Sequence, residues 1–519
     1  MKINTTLAMP QNVFNDMNRV FSLGVELYEK YKERRFVRGT EDVLNSPITK
    51  NLLKLPRHAS GQKVENPLIS INAATIIKLR GGCSQRESLA SELFQTDFSG
   101  APECFVKNGK AFHSTKSQIL QCIVPVGKPV DADNPPDVQL GEQSGEQSGD
   151  QPGEQSGEQL EELPVEKPDE SFMTYIVDLS VEVRARASAL SGHGYTFREF
   201  VIMVLNSIAS KAREHDAKQI DLVIDFYHKL SIKSGTRTER GVASRVLFGL
   251  DDHLPRNLPE LLSNDDFKTD LYSAFSDTEL LEGWTWKGDY CITSAKHVAE
   301  RMNGRVSTDR ILCLHAGLIS LEEADNRIVL HIRDSITMRK RERILVRTVD
   351  SDVVVILVGF FVQFLQYAKD IQLSVDFGVS NNRRLININD CFKHLGKVKS
   401  LALPFFHAFS GCDSTAFFYK KSKMSLYTSW VKSQCCDEIT EAFKQLSWLA
   451  TEKEIDKNLP VICKFISTAF GDTTNSGSLN EFRLKLFKAS SSNNFRELPP
   501  SEEGLELHIR RSCYQSGWV

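Results

Sequence analysis

Five groups of carboxylates punctuate the middle of the chain at points where apolar runs stop or start. Asp178 closes the run from Phe172 to Val177, and Asp225 closes Ile220 to Ile224. Glu323 and Asp325 precede a stretch with helical apolar spacing, Asp350 and Asp352 follow Ile344 to Thr348, and Asp413 follows the run that holds Leu401 to Phe409. Acids brought together repel one another and are costly to leave unpaired. A divalent cation removes that cost. Oxygen ligands favour hard ions, Mg²⁺ or Mn²⁺, and two such ions ~3.5–4 Å apart can clamp the attacking and leaving oxygens of a phosphodiester. Taken singly, each acid also has a structural use. Ser320 to Glu323 fits a capping box, Asp352 could cap the apolar helix that follows it, and Asp413 could cap or turn.

The elements that must position these acids read as strands alternating with helices. The spacing predicts a strand over 172–177 and a helix over 197–212, where Phe200, Val204, Ile208 and Ala212 recur every four residues. A strand over 220–226, a helix over 321–334, a strand over 344–348 and an apolar helix follow. Such alternation argues for an α/β fold with a mainly parallel sheet flanked by helices, in which ligands bind beyond the carboxyl ends of strands. The acids fall at those ends.

The order of the acids resembles the flap endonuclease/PIN-like family of metal-dependent 5′ nucleases. Tyr175-Ile-Val-Asp178-Leu-Ser is similar to that family's I-x-V-D-x-S opening. Ile224-Asp225-Phe-Tyr, with Ile232-Lys233-Ser-Gly and Arg240, resembles V-F-D-G…L-K-S-G…R. Glu322-Glu323-Ala324-Asp325 resembles E-A-E-A with Asp for the second Glu, Thr348-Val-Asp350-Ser-Asp352 resembles T-x-D-x-D, and Gly411-Cys412-Asp413 resembles L-L-G-C-D-Y. The stretch from Glu322 to Lys423 is closer still to a group of invertebrate proteins with E-E-A-D…D-x-D…H-A-F-x-G-C-D motifs. The resemblance implies a PIN-like fold and a nuclease acting on DNA or RNA. It implies metal ligation by Asp178, Asp225, Glu323, Asp325, Asp350, Asp352 and Asp413, with Lys233 and Arg240 steering the scissile phosphate. The family's glycine-rich hairpin after G-C-D-Y is replaced here by Ser414 to Lys423, and roughly 170 residues precede Asp178. An inactive nuclease-derived binding protein or a protein-interaction scaffold is the alternative.

Basic residues near the acids suit a polyanion. Lys420, Lys421 and Lys423 follow Asp413 and could bind nucleic acid, and Phe417, Phe418 and Tyr419 beside them could stack bases or belong to the core. The run from Arg333 to Arg347 could contact phosphates, act as a nuclear localisation patch or be an exposed helix end. Residues 128–170 carry thirteen acids against Lys128 and Lys167, a net −11, which leaves +8 on the rest of a chain whose total is −3.

Residues 141–159 repeat Gly-Glu-Gln-Ser with no aliphatic or aromatic side chain, so they cannot offset their ordering entropy by burial. That predicts an acidic linker over 126–170 between an N-terminal region, 1–125, and a nuclease-like domain over 171–435, with a mainly helical region over 436–519. The chain's 519 residues and 41% hydrophobic content exclude a collagen-like or fully disordered class. Eleven scattered cysteines without a C-x-x-C pair argue against a disulfide scaffold or a zinc site and for an intracellular protein. No phosphate-binding loop or dinucleotide fingerprint is present, so no nucleotide cofactor is expected. The longest apolar run, Val353 to Leu365, is too short for the ~20 residues of a membrane span, so no membrane partner is expected.

Overall fold

The computed structural model describes residues 91, 94–97, 101–107, 110–112, 115–125, 173–225, 247–293, 298–302, 305–306, 324–448, 450–473, 477–489 and 495–518. All of them belong to one compact unit, residues 66–519. The expected linker lies outside the described residues.

Helix α1 (Ile119–Ile123) follows a single 3-10 turn, Lys116–Gln118. Strand β1 (Met173–Asp178) then leads into α2 (Leu179–Leu190), α3 (Phe197–Glu214) and β2 (Ala217–Val223). Strands β3 (Asp289–Thr293), β4 (Val298–Met302) and β5 (Arg305–Val306) precede α4 (Ala324–Thr337). The order continues with β6 (Arg343–Thr348), α5 (Ser351–Tyr367), β7 (Gln372–Phe377), β8 (Arg384–Asn387) and α6 (Lys397–Phe409). Further helices lie between 423 and 489, and α7 (Glu502–Trp518) follows.

The strands form an eight-stranded sheet in the order β8-β7-β6-β1-β2-β3-β4-β5. The five strands from β7 to β3 run parallel, and β8, β4 and β5 are antiparallel additions at the two edges. The expected α/β architecture with a mostly parallel sheet flanked by helices is therefore present.

Alternation along each strand sorts side chains to two cores. Tyr175, Val177, Ile220, Leu222 and Leu345 pack on one face with α2 and α3. Ile176, Val223, Ile344, Val346 and Val375 pack on the other with α4, α5 and α6. Strands covered on both faces read as near-continuous apolar runs, which is how they stand in the sequence. Helix α5 is apolar on most sides because it is covered on most sides: Val353 to Val358 are all 0–1% exposed. Each such side chain contributes about 1.5–3 kcal/mol by burial. Gly359 permits its close approach to α6, since a Cβ there would lie 2.8 Å from Pro404 Cγ.

Packing crosses both of the expected boundaries, at 125 and at 435. Ile119, Leu120 and Ile123 share a core with Phe418, Phe443, Phe465 and Ile509. Phe417 N donates to Phe112 O at 3.1 Å, Tyr419 N to Cys104 O at 2.9 Å, and Arg483 Nη1 to Phe94 O at 2.8 Å. A described part of the N-terminal region thus belongs to the same unit as the sheet and the C-terminal helices.

The basic run is also used internally. Arg339 pairs with Glu300 at 2.7 Å and Asp334 at 2.9 Å, and Arg347 with Glu182 at 3.3 Å, all of them buried. These two arginines are interior ion pairs, and a phosphate cannot reach them.

His508 on α7 fixes the same junction. Its Nε2 lies 2.8 Å from Phe409 O, and its ring stacks on Phe105 at 4.4 Å. Burial pushes its pKa down to about 4, with Arg511 adding to the shift. An unfolded histidine titrates near ~6.5. Below that pH the unfolded chain takes up a proton that the folded chain refuses until about 4. Stability contributed by this group is present above ~6.5 and is lost as pH falls through that window, on the order of 3 kcal/mol. The urea midpoint should fall from pH 6.5 to 4, and less steeply in His508→Gln, which keeps a donor without titrating.

Candidate metal centre

The three central strands β6, β1 and β2 end side by side, and each passes directly to an acid. Asp178 is both the last residue of β1 and the N-cap of α2. Its Oδ1 accepts from Ser180 N at 3.1 Å and from Ser180 Oγ at 2.7 Å, and its Oδ2 accepts from Thr348 Oγ1 at 3.2 Å. Asp225 stands two residues beyond β2 and accepts from Ala324 N at 2.9 Å, which ties the first turn of α4 to the strand ends. That turn carries Asp325.

Asp350 follows β6 and caps α5, accepting from Asp352 N at 2.9 Å. The cap of this helix is therefore Asp350, not Asp352 as the sequence suggested. The exchange has a physical reason: the N-cap must be the residue that leaves the strand with extended backbone, and Asp350 does so with φ −91° and ψ 123°. Asp352 is thereby turned inward, where its Oδ1 meets His407 Nε2 at 3.0 Å.

Ligand atoms of Asp325, Asp350 and Asp352 all lie within 4.8 Å of one another, close enough for the three to hold a metal ion. The test of fit is the chemistry of the donors. They are carboxylate oxygens from two helix starts, the set that hard cations take. Asp178 is pushed up to about 7, first by burial and then by the neighbouring Asp225, with Asp350 adding. Asp350 is raised to about 6 by burial and by Asp352. Asp352 is held below the usual carboxylate range because His407 and Lys116 together outweigh its burial.

His407 is itself pushed down to about 4 by burial and by Lys423, so at neutral pH it carries no charge. An ionised Asp352 can only accept, which fixes the histidine as the Nε2–H tautomer. Its Nδ1 has no hydrogen-bond partner among the described residues. His407 is 1% exposed, and its role here is to orient Asp352. Cys412 Sγ meets Thr415 Oγ1 at 3.1 Å.

Asp413 reaches the cluster from the loop after α6. Gly411 has φ +103°, and a Cβ there would lie 3.0 Å from Phe417 Cα, so the turn that aims Asp413 requires glycine. Cys412 N donates to Thr415 Oγ1 at 3.0 Å and Arg511 Nε to Ser414 O at 2.6 Å, which secures the loop to α7.

One member of the centre has no signal in the sequence. Lys116, on the 3-10 turn before α1, places Nζ 3.0 Å from Asp350, 3.3 Å from Asp352 and 2.8 Å from Asp413. Burial opposes its charge, but Asp352, Asp350 and Asp413 outweigh it and hold the lysine firmly protonated. Nothing near residue 116 marks it out, because its neighbours in the sequence are unrelated to its neighbours in space.

The expected phosphate-binding lysines separate. Lys423 is 0% exposed and donates to His407 O at 2.5 Å and Ser410 Oγ at 2.9 Å. Burial there pushes it down to about 8. It is a core strut, which corrects the expectation that it contacts nucleic acid. Lys420 is exposed and pairs with Glu497 at 2.7 Å, and Lys421 lies 4.8 Å from the Phe470 ring. Phe418 is fully buried and belongs to the core. Glu323, Lys233 and Arg240 lie outside the described residues.

No helix among the described residues is long and apolar enough to cross a membrane. No family model matches the chain, and no curated protein matches it.

Proposed function

We propose that the protein is a metal-dependent nuclease that hydrolyses phosphodiester bonds in DNA or RNA, on a fold of the flap endonuclease/PIN-like kind. The observation that carries this reading is the convergence of Asp325, Asp350 and Asp352 within 4.8 Å beyond the carboxyl ends of adjacent parallel strands. Asp178, Asp225 and Asp413 stand around them. Mg²⁺ or Mn²⁺ held by these carboxylates would supply the Lewis acid that the attacking and leaving oxygens of a phosphodiester require.

The protein's own residues do the rest. Asp225 and Asp350 hold the starts of α4 and α5, so Asp325 and Asp352 face each other from rigid helical turns. His407 keeps Asp352 oriented from the buried side. Lys116 offers positive charge at the point where a phosphate oxygen would gain it. Lys233 and Arg240 would extend that role to the scissile phosphate. DNA or RNA is the proposed partner, and the proposed location is intracellular, with access to the nucleus.

The inactive-scaffold reading is favoured by one observation. Lys116 contacts three of the acids and could satisfy them without any ion. Cleavage of labelled single-stranded, 5′-flap and hairpin DNA and RNA, with Mg²⁺, Mn²⁺ or EDTA, separates the two. Metal-dependent cutting supports the nuclease. Salt-dependent binding without cutting supports an inactive nucleic-acid-binding protein, and no binding at low salt supports the protein-interaction scaffold.

A further inference from the structure

We infer that Lys116 fills the second cation position of the acidic cluster, so that the centre takes one divalent ion instead of two. The inference rests on the metal-binding reading above and sets its stoichiometry. Two overlapping sets of acids are present. Asp325, Asp350 and Asp352 could hold an ion. Asp350, Asp352 and Asp413 already surround the ammonium of Lys116 at 2.8–3.3 Å. Asp350 and Asp352 belong to both sets, as bridging carboxylates of a paired-cation site do.

An ammonium group has three donors and no acceptor, and here it meets three carboxylates. A Mg²⁺ ion bound by the same oxygens would sit ~2.1 Å from each, in the space the ammonium occupies. Both cannot be present together. Lys116 is also not a loose surface chain that could swing aside at little cost. Its 3-10 turn runs directly into α1, where Ile119, Leu120 and Ile123 are 0–1% exposed in the main core. Its own side chain is only 22% exposed. Removal of the ammonium would leave Asp350 and Asp352 facing each other with one positive charge fewer. A fixed lysine in place of one ion leaves the attacking-oxygen and leaving-oxygen sides of the centre chemically unlike. One side is a Lewis acid and the other a hydrogen-bond donor of single charge.

The test is the number of Mn²⁺ ions bound by the full-length protein, counted by calorimetry and by electron paramagnetic resonance. The wild type is expected to bind one Mn²⁺ with the spectrum of an isolated ion. Lys116→Met, which keeps the apolar stem, is expected to bind two, with the exchange coupling of a close pair. Lys116→Gln provides the same count if the methionine variant does not fold. Two coupled ions in the wild type overturn the inference, and so does a single ion in both folded variants. If neither the wild type nor a folded variant binds Mn²⁺, the metal-binding reading itself fails, which the other outcomes leave intact.

Discussion

Asp350→Asn/Asp352→Asn is expected to lose metal-dependent cleavage by ~10³-fold or more, while the protein stays folded. The loss follows from the position of the two residues, which belong both to the group that could hold an ion and to the group around Lys116. Metal catalysis is worth several kcal/mol, and each ~1.4 kcal/mol is a factor of ten in rate. Asparagine is the right replacement because it isolates charge from structure. Asn at 350 can still accept from residue 352 N as an N-cap, where alanine would cost about 1 kcal/mol. Asn at 352 can still accept from His407. Cleavage rates with Mg²⁺ and with Mn²⁺, beside a thermal melt, give the result. Cutting that persists in the folded double variant would remove these acids from the chemistry.

Asp221→Ala is expected to cost about 3–5 kcal/mol of stability, the range for removing one partner of a buried ion pair. Asp221, on β2, is 0% exposed. Its Oδ2 meets His331 Nδ1 at 2.9 Å, and its Oδ1 accepts from Gln219 Nε2 at 2.6 Å. His331 in turn places Nε2 2.9 Å from Thr293 Oγ1 on β3. Burial disfavours the charge of Asp221, but His331 and Arg339 outweigh it and hold its carboxyl below the usual range. An Asp, a His and a Thr in a row suggest a nucleophilic triad by composition. All three are 0–1% exposed, so no substrate reaches them. Their work is to pin α4 to the sheet. Because α4 carries Asp325, the variant should also weaken Mn²⁺ binding, and Asp221→Asn should recover part of both losses. A urea midpoint unchanged from wild type would show that the network contributes nothing net.

The residues of the centre differ in how legible they were. Asp178, Asp225 and Asp350 could be placed from the sequence because each ends a short apolar run, and in a parallel sheet such runs end at a common edge. The period of α3 was equally plain, and the helix covers Phe197–Glu214 against an expected 197–212. What sequence could not show was the assignment of roles within a motif. Asp350 and Asp352 are two residues apart, and only the backbone decides which caps and which turns inward. Lys423 and the arginines at 339 and 347 read as surface charge because their partners, such as Glu300 and the His407 carbonyl, are far away in the sequence. Lys116 was hidden for the same reason.

The contacts of that lysine span 234 residues to Asp350 and 297 to Asp413. Contacts of such separation dominate folding time, since the chain must close a long loop before they repay it. At ~5–20 residues per second, ribosomal synthesis separates Lys116 from Asp413 by on the order of 15–60 s. The strands that lead to Asp178 and Asp225 can pair within that interval, whereas α1 packs on α5 and on the helices over 388–395 and 423–431, all of which are made later. The cation that closes the cluster is thus made well before the acids it meets and must wait for them.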